Sequence, residues 1–161
     1  MDTYVKEAFE EMMREDGLAV FGQGLGVTRL LIKFLHYYST MTTRPAVPSS
    51  SSVAQQVAST LSPHRPLVLC INTAGTEDFI LKALLADGLL PDQLPKVITN
   101  DQHTQERPDL YALGGCFLVT SRILIVDLLD GKLDPRTVTG LLIPAAHKVR
   151  PRHINPYIGR I

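Results

Sequence analysis

The sequence predicts an α/β protein, a parallel sheet covered by helices on both faces. Three observations carry that expectation. LAVF (Leu18–Phe21), PLVLCIN (Pro66–Asn72), CFLV (Cys116–Val119) and VTGLLI (Val138–Ile143) are short, near-continuous apolar runs, as strands buried on both sides require. The segments between them place apolar residues at helical spacing. The first run leads through Gly22, Gly24 and Gly26 straight into such a segment, giving a strand, a glycine turn and a helix in succession.

Taken in order, Asp2–Arg14 sets Val5, Ala8, Phe9, Met12 and Met13 on one helical face, and Gly17 stops the helix. LAVF is the first strand. Val27–Tyr38 is the second helix, with Leu30, Leu31, Phe34 and Leu35 on one side and His36 at its end. Ser39–Pro66 is rich in Ser, Thr and Pro and contains SSSS at Ser49–Ser52. Such a composition buries too little apolar surface to offset ordering, so a mobile insertion is expected, with a short helix around Val53–Leu61. Pro66–Asn72 is the second strand and Thr76–Asp87 the next helix, with Thr76 as its N-cap. Lys96–Ile98 is a short strand, followed by a loop that ends at Gly114 and Gly115 before the CFLV strand. Thr120–Leu129 is a helix capped by Thr120 or Ser121, and VTGLLI is a fully apolar last strand. The chain thus divides into 1–38, an insertion at 39–66, the rest of the domain at 67–147, and a tail at 148–161.

The 161 residues suffice for one domain with a core; aromatics are 6% and Trp is absent, so that core is expected to be aliphatic. Sixteen basic residues balance sixteen acidic ones, which removes any global pull toward nucleic acid or membrane. Cys70 and Cys116 sit inside apolar runs and read as buried reduced thiols. His103, His147 and His153 lack carboxylate or thiol partners at ligand spacing, so no metal site and no cofactor are expected. The charged first residues are unlike a signal peptide, and no apolar run reaches the length of a membrane span. A soluble, intracellular protein is the expectation.

Gly22–Leu31, GQGLGVTRLL, has the outline of a phosphate-binding loop. Such a loop wraps phosphates in backbone N–H groups, aims a helix N-terminus at them, adds a Lys ammonium and holds magnesium with Ser or Thr. Gly24, Gly26 and Thr28 are present, but Val27 fills the lysine slot and offers neither charge nor donor. On glycine spacing alone, an ordinary tight turn is the commoner origin of the pattern. An ATPase also needs carboxylates at the end of a later strand. The corresponding stretch, LLIPAAHK, offers Pro144, Ala145, Ala146 and His147, with Pro144 and Ala145 where acids are required. One missing preorganised partner costs about 2.7–4 kcal/mol in a transition state, so ATP hydrolysis is expected to be undetectable.

GLGVTRLL (Gly24–Leu31), LVLCIN (Leu67–Asn72), GGCFLVTSRILIVDLL (Gly114–Leu129) and TGLLIPAAHKV (Thr139–Val149), in this order, resemble the amino-terminal helicase-like region of the XPF/Rad1 family of DNA-repair endonucleases. The resemblance runs from about Leu18 to His147 and leaves the Ser-rich insertion unmatched. It implies the RecA-like first lobe of a superfamily 2 helicase module, in which the lysine and the acidic box are lost; the opening loop is then a relic kept as scaffold. For the full-length protein it implies a nuclear hydrolase that cuts one strand where duplex meets single-stranded DNA, in nucleotide-excision and interstrand-crosslink repair. Magnesium or manganese would be bound in a separate nuclease module, and a smaller non-catalytic subunit would bind outside this segment. The Glu-Arg-Lys nuclease signature is missing here, since Glu106–Arg107 is followed by Pro108, so the chain alone is expected not to cleave DNA. Helicases of this type touch the phosphate backbone at positions matching Asn72, Thr73, Thr120, Ser121 and Arg122. For those hydroxyls and Arg122, N-capping and a solvated charge are the bland explanations. Asp127 reads as a surface or partnered buried carboxylate.

After His147 the sequence leaves the family pattern. KVRPRHINPYIGRI carries Lys148, Arg150, Arg152 and Arg160 with no acid, and Pro151 and Pro156 oppose helix. A non-native or truncated end is expected there, or a tail that binds phosphate non-specifically. Three functions stay open: an inactive lobe that engages DNA junctions and docks nuclease scaffold proteins, a stand-alone interaction module, and a surviving nucleotide-dependent helicase or ATPase.

Overall fold

The computed structural model describes residues 3–22, 24–41, 65–100 and 105–148. Its helices are α1 (Thr3–Met12), α2 (Val27–Met41), α3 (Glu77–Ala86), α4 (Arg107–Ala112) and α5 (Ser121–Leu129). Its strands are β1 (Leu67–Cys70), β2 (Lys96–Ile98), β3 (Gly115–Val119) and β4 (Val138–Leu142). They form one all-parallel sheet in the order β2-β3-β1-β4. The α/β expectation, with helices on both faces, therefore holds.

Strand alternation explains the two layers. Leu67, Leu69 and Ile71 point to one face and pack with Phe117, Tyr111 of α4 and Ile123 and Leu124 of α5. Val68 and Cys70 point to the other and meet Leu31 and Leu35 of α2 and Ile80 and Leu84 of α3. All four β1 residues are buried, which is why this strand reads as a continuous apolar run. On the outside of α2, α1 adds Val5 against Leu30 and Phe34. Between β1 and β4 the register shifts after Leu67, and Thr139 falls out of the ladder. Its hydroxyl accepts the Leu67 N–H at 3.2 Å, replacing the lost backbone bond.

Several expectations need correction. Leu18–Phe21 is not a strand; Leu18 and Val20 are 78% and 87% exposed. Strand structure requires a ladder partner, and this segment joins none of the four strands; only Phe21 packs, against the cluster of Val5, Leu30 and Phe34. The second helix runs three residues past Tyr38 to Met41, because Ser39 stays buried on its inner side, so His36 lies inside the helix rather than at its end. The remainder of the Ser-rich insertion, residues 42–64, with its expected short helix, and the tail from 149 onward lie outside the described residues, as does His103. Thr76 occupies the N-cap position of α3 without capping it; its hydroxyl instead donates to the Thr73 carbonyl at 2.7 Å. The last strand is half-buried rather than fully buried, since it forms one edge of the sheet. The loop before β3 contains α4, which is only six residues long.

Both thiols are buried, as expected. Burial, with Cys116 nearby, pushes the Cys70 thiol up to about 12. Burial raises Cys116 to about 11, partly offset by the Ser39 hydroxyl. Neither is a ready nucleophile. No described helix is long and apolar enough to cross a membrane.

Candidate nucleic-acid interface

Ligands of open α/β sheets bind outside the carboxyl ends of the strands. Two segments of this chain meet there. Asn72, just after β1, has φ 62°, a left-handed conformation that Asn tolerates better than most residues. Its side-chain carbonyl accepts a hydrogen bond from the Ser121 hydroxyl at 3.1 Å, joining residues 49 positions apart. Thr120 ends β3's run and caps α5, its hydroxyl accepting the Ile123 N–H at 3.3 Å. The Ser121 and Arg122 amides lie in the first turn, where a helix has no acceptors of its own to offer them. Arg122 is exposed at the same turn. The structure thus brings Asn72, Thr120, Ser121 and Arg122 to one edge. Thr73 differs: it is 4% exposed and its carbonyl holds the turn into α3 by accepting the Thr76 N–H at 2.8 Å.

Beside this edge, between the carboxyl ends of β2 and β3, lies a cleft of about 290 Å³. Glu77, Thr99, Asn100 and Thr120 give it polar atoms, and Val97 and Ile123 are among its apolar walls. Thr99 of this lining is tied to a buried charge network that sequence reading left unassembled. Arg107 of α4 donates to Asp127 of α5 at 3.1 Å, and the Tyr111 hydroxyl donates to the other carboxylate oxygen at 2.8 Å. Arg107 also donates to the Thr99 carbonyl at 3.1 Å, so one guanidinium joins the cleft wall after β2 to the helix after β3. Asp127 and Arg107 are 0% and 5% exposed, which settles Asp127 as a partnered buried carboxylate. Desolvation, reinforced by the Asp127 carboxylate, raises the Tyr111 phenol above its usual value and keeps it a hydrogen-bond donor. Pro108 in the first turn of α4 was the available signal for this helix.

The glycine loop lies at the N-terminus of α2. Gly24 and Gly26 have φ of 83° and 86°, and the Leu25 N–H closes a turn on the Gly22 carbonyl at 3.1 Å. Val27 opens the helix with its side chain 39% exposed, and Thr28 is exposed beside it. Pro144 and Ala145 form the turn after β4, Ala145 at φ 54°, and Ala146 and His147 begin a short 3-10 helix. None of these side chains brings a carboxylate or a lysine ammonium. Among the described residues no group of three or more His, Cys, Asp or Glu is arranged to hold a metal ion.

No protein-family model matches the chain. Individual relatives do. The chain is similar to the DNA repair endonuclease XPF of Mus musculus, 31% identical over 147 residues, which cover 91% of this chain and 13% of that protein. It is 32% identical over 159 residues to the DNA repair protein RAD1 of Saccharomyces cerevisiae, covering 86% of this chain and 13% of that protein. The DNA repair protein rad16 of Schizosaccharomyces pombe is 28% identical over 146 residues, 91% of this chain and 14% of that protein. The chain therefore spans only about an eighth of the length of the curated relatives it matches. Within that span the likeness takes in the sheet, its covering helices and the edge where Asn72 meets Ser121, and by it the chain belongs to the XPF/Rad1 family of DNA repair endonucleases.

Proposed function

We propose that this chain forms a helicase-like lobe that holds DNA at a junction, without hydrolysing nucleotide, for a structure-specific repair endonuclease whose cutting centre lies in another module. The observation that carries the reading is the Ser121–Asn72 hydrogen bond. It draws the N-terminal turn of α5, with its unclaimed amides and the exposed Arg122, against the end of β1, so that a phosphate would meet donors from two segments at once. The loop at α2 argues the other way for ATP, because Val27, Pro144 and Ala145 supply none of the charge that phosphoryl transfer requires. In the full-length protein the lobe would serve nuclear excision and crosslink repair, beside a nuclease module using magnesium or manganese and a smaller non-catalytic subunit. Docking of scaffold proteins would be its second role.

Arg122→Ala tests the reading on the 161-residue chain and a labelled DNA fork. Affinity at low salt should fall, and the salt slope should shrink by about one contact's worth, while thermal stability is unchanged. Unaltered affinity and slope would return Arg122 to the class of solvated surface charges. Magnesium-dependent ATP hydrolysis by the unmodified protein would overturn the scaffold reading of the loop.

A further inference from the structure

We propose that the cleft between the ends of β2 and β3 receives one unstacked base of a single-stranded DNA arm, and that Glu77 selects bases bearing an exocyclic amino group. The inference rests on the reading of this edge as a DNA-binding surface and adds to it what the surface distinguishes. Glu77 is the one charged residue among the described residues that line the cleft, half-buried at the first position of α3, with no hydrogen bond or ion pair to another described residue. A carboxylate there repels phosphate. The backbone of a bound strand is therefore excluded from the cleft and directed to the neighbouring turn of α5, where the helix dipole, the Ser121 and Arg122 amides and the Arg122 guanidinium favour an anion. With its phosphate outside, the nucleotide can turn only its base inward.

The size and lining fit that occupant. About 290 Å³ lies just below the range of small-molecule sites, about 300–1,000 Å³, which suits a single base and excludes a base pair. Among the described residues that line the cleft none is aromatic, so they form no stacking platform; aliphatic side chains such as Val97 and Ile123 flank the ring, and recognition falls to the base edge. A carboxylate accepts from the N4 amino group of cytosine or the N6 amino group of adenine; thymine sets the O4 acceptor at that position, which the carboxylate repels, and its one donor, N3–H, lies between two carbonyl oxygens. Asn100, which also lines the cleft, supplies an amide donor for a ring nitrogen or carbonyl. The preference is thus for amino-bearing bases over thymine.

The test compares two forks of identical duplex, one with oligo(dC) arms and one with oligo(dT) arms, binding to the 161-residue chain by fluorescence anisotropy at constant salt. The two pyrimidines share one ring and differ in the 4-position group and the thymine methyl, and the Glu77 variants separate the edge from the methyl. The unmodified chain should bind the dC fork at least about fivefold more tightly. Glu77→Ala should erase the preference by weakening dC, and Glu77→Gln should erase it by strengthening dT, since a side-chain amide can donate to O4. Equal affinities in the unmodified chain, or a preference that survives Glu77→Ala, would overturn the proposal while leaving the DNA-binding edge in place. Failure to bind either fork at low salt would overturn that edge and the proposal with it. A Glu77-dependent affinity for an arginine-rich peptide, without discrimination between the forks, would assign the cleft to a protein partner instead and also overturn it.

Discussion

Replacing Arg107 with methionine should be among the most damaging single changes to this fold, and adding a second substitution should repair part of the damage. Arg107→Met keeps the aliphatic stem but removes the donors at 3.1 Å from Asp127 and 3.1 Å from the Thr99 carbonyl. Asp127 is 0% exposed and would retain only the Tyr111 hydroxyl, at 2.8 Å. Breaking one side of such a pair costs about 3–5 kcal/mol, because the remaining charge is buried without compensation. Replacing the whole pair with apolar residues is commonly near neutral. In Arg107→Met/Asp127→Leu the Tyr111 hydroxyl is then the stranded buried group, at about 1–3 kcal/mol, so the double variant should be more stable than Arg107→Met alone. Adding Tyr111→Phe should recover most of the remainder. Urea unfolding followed by far-UV circular dichroism measures the parent, both single variants Arg107→Met and Asp127→Leu, the double and the triple, with equal m-values as the check on two-state behaviour. An Arg107→Met variant within about 1 kcal/mol of the parent, or a double variant that costs the sum of its singles, would refute the account of a buried, mutually dependent pair.

Three further outcomes are expected. Gly114 has φ 67°, and a Cβ there would lie 2.5 Å from the Arg65 carbonyl oxygen, so Gly114→Ala should lose at least about 2 kcal/mol in the same urea assay, where a near-neutral result would contradict the close approach. The Cys70 and Cys116 thiols are raised from 9.0 to about 12 and about 11, which means that the folded state favours the protonated forms. Their contribution is therefore whole below pH 9 and lost as pH rises through the folded values; melting temperature should drop between pH 9 and 11, and less so in Cys70→Ala/Cys116→Ala. Thr120→Ala removes the hydroxyl that accepts the Ile123 N–H and should cost about 1 kcal/mol of thermal stability, with a further loss of fork affinity if the α5 turn holds the phosphate.

The parts of the fold that the sequence foretold are those where one local pattern decided the outcome. LVLCIN and CFLV are apolar on both faces because helices cover both faces, and no other element suits such short continuous runs. Lys96–Ile98 and the cap at Thr120 were legible for the same local reason. LAVF has the same composition, yet Leu18 and Val20 are exposed, because a strand is defined by a neighbour that a single segment cannot announce. The site divides in the same way. Asn72 and Ser121 could be picked from motifs, but their hydrogen bond and the burial of Thr73 are products of sheet order. Arg107 and Asp127 were visible as ordinary charges on short segments; their pairing depends on α4 and α5 covering the same face of the sheet.

The Leu67–Thr139 contact also bears on how the chain is made. It spans 72 positions, and the other neighbour of β1 begins at Gly115, so this interior strand of the sheet is synthesised long before either of its flanking partners. Until residues 115–142 leave the ribosome, Leu67–Cys70 has no ladder to join, and four consecutive side chains destined for full burial remain in water. Non-local parallel pairing of this kind is slow, on the order of milliseconds to seconds, and an unpaired apolar strand invites association with other nascent chains during the wait. The order of strands along the polypeptide thus sets how long this apolar segment stays unpaired before the native sheet can close around it.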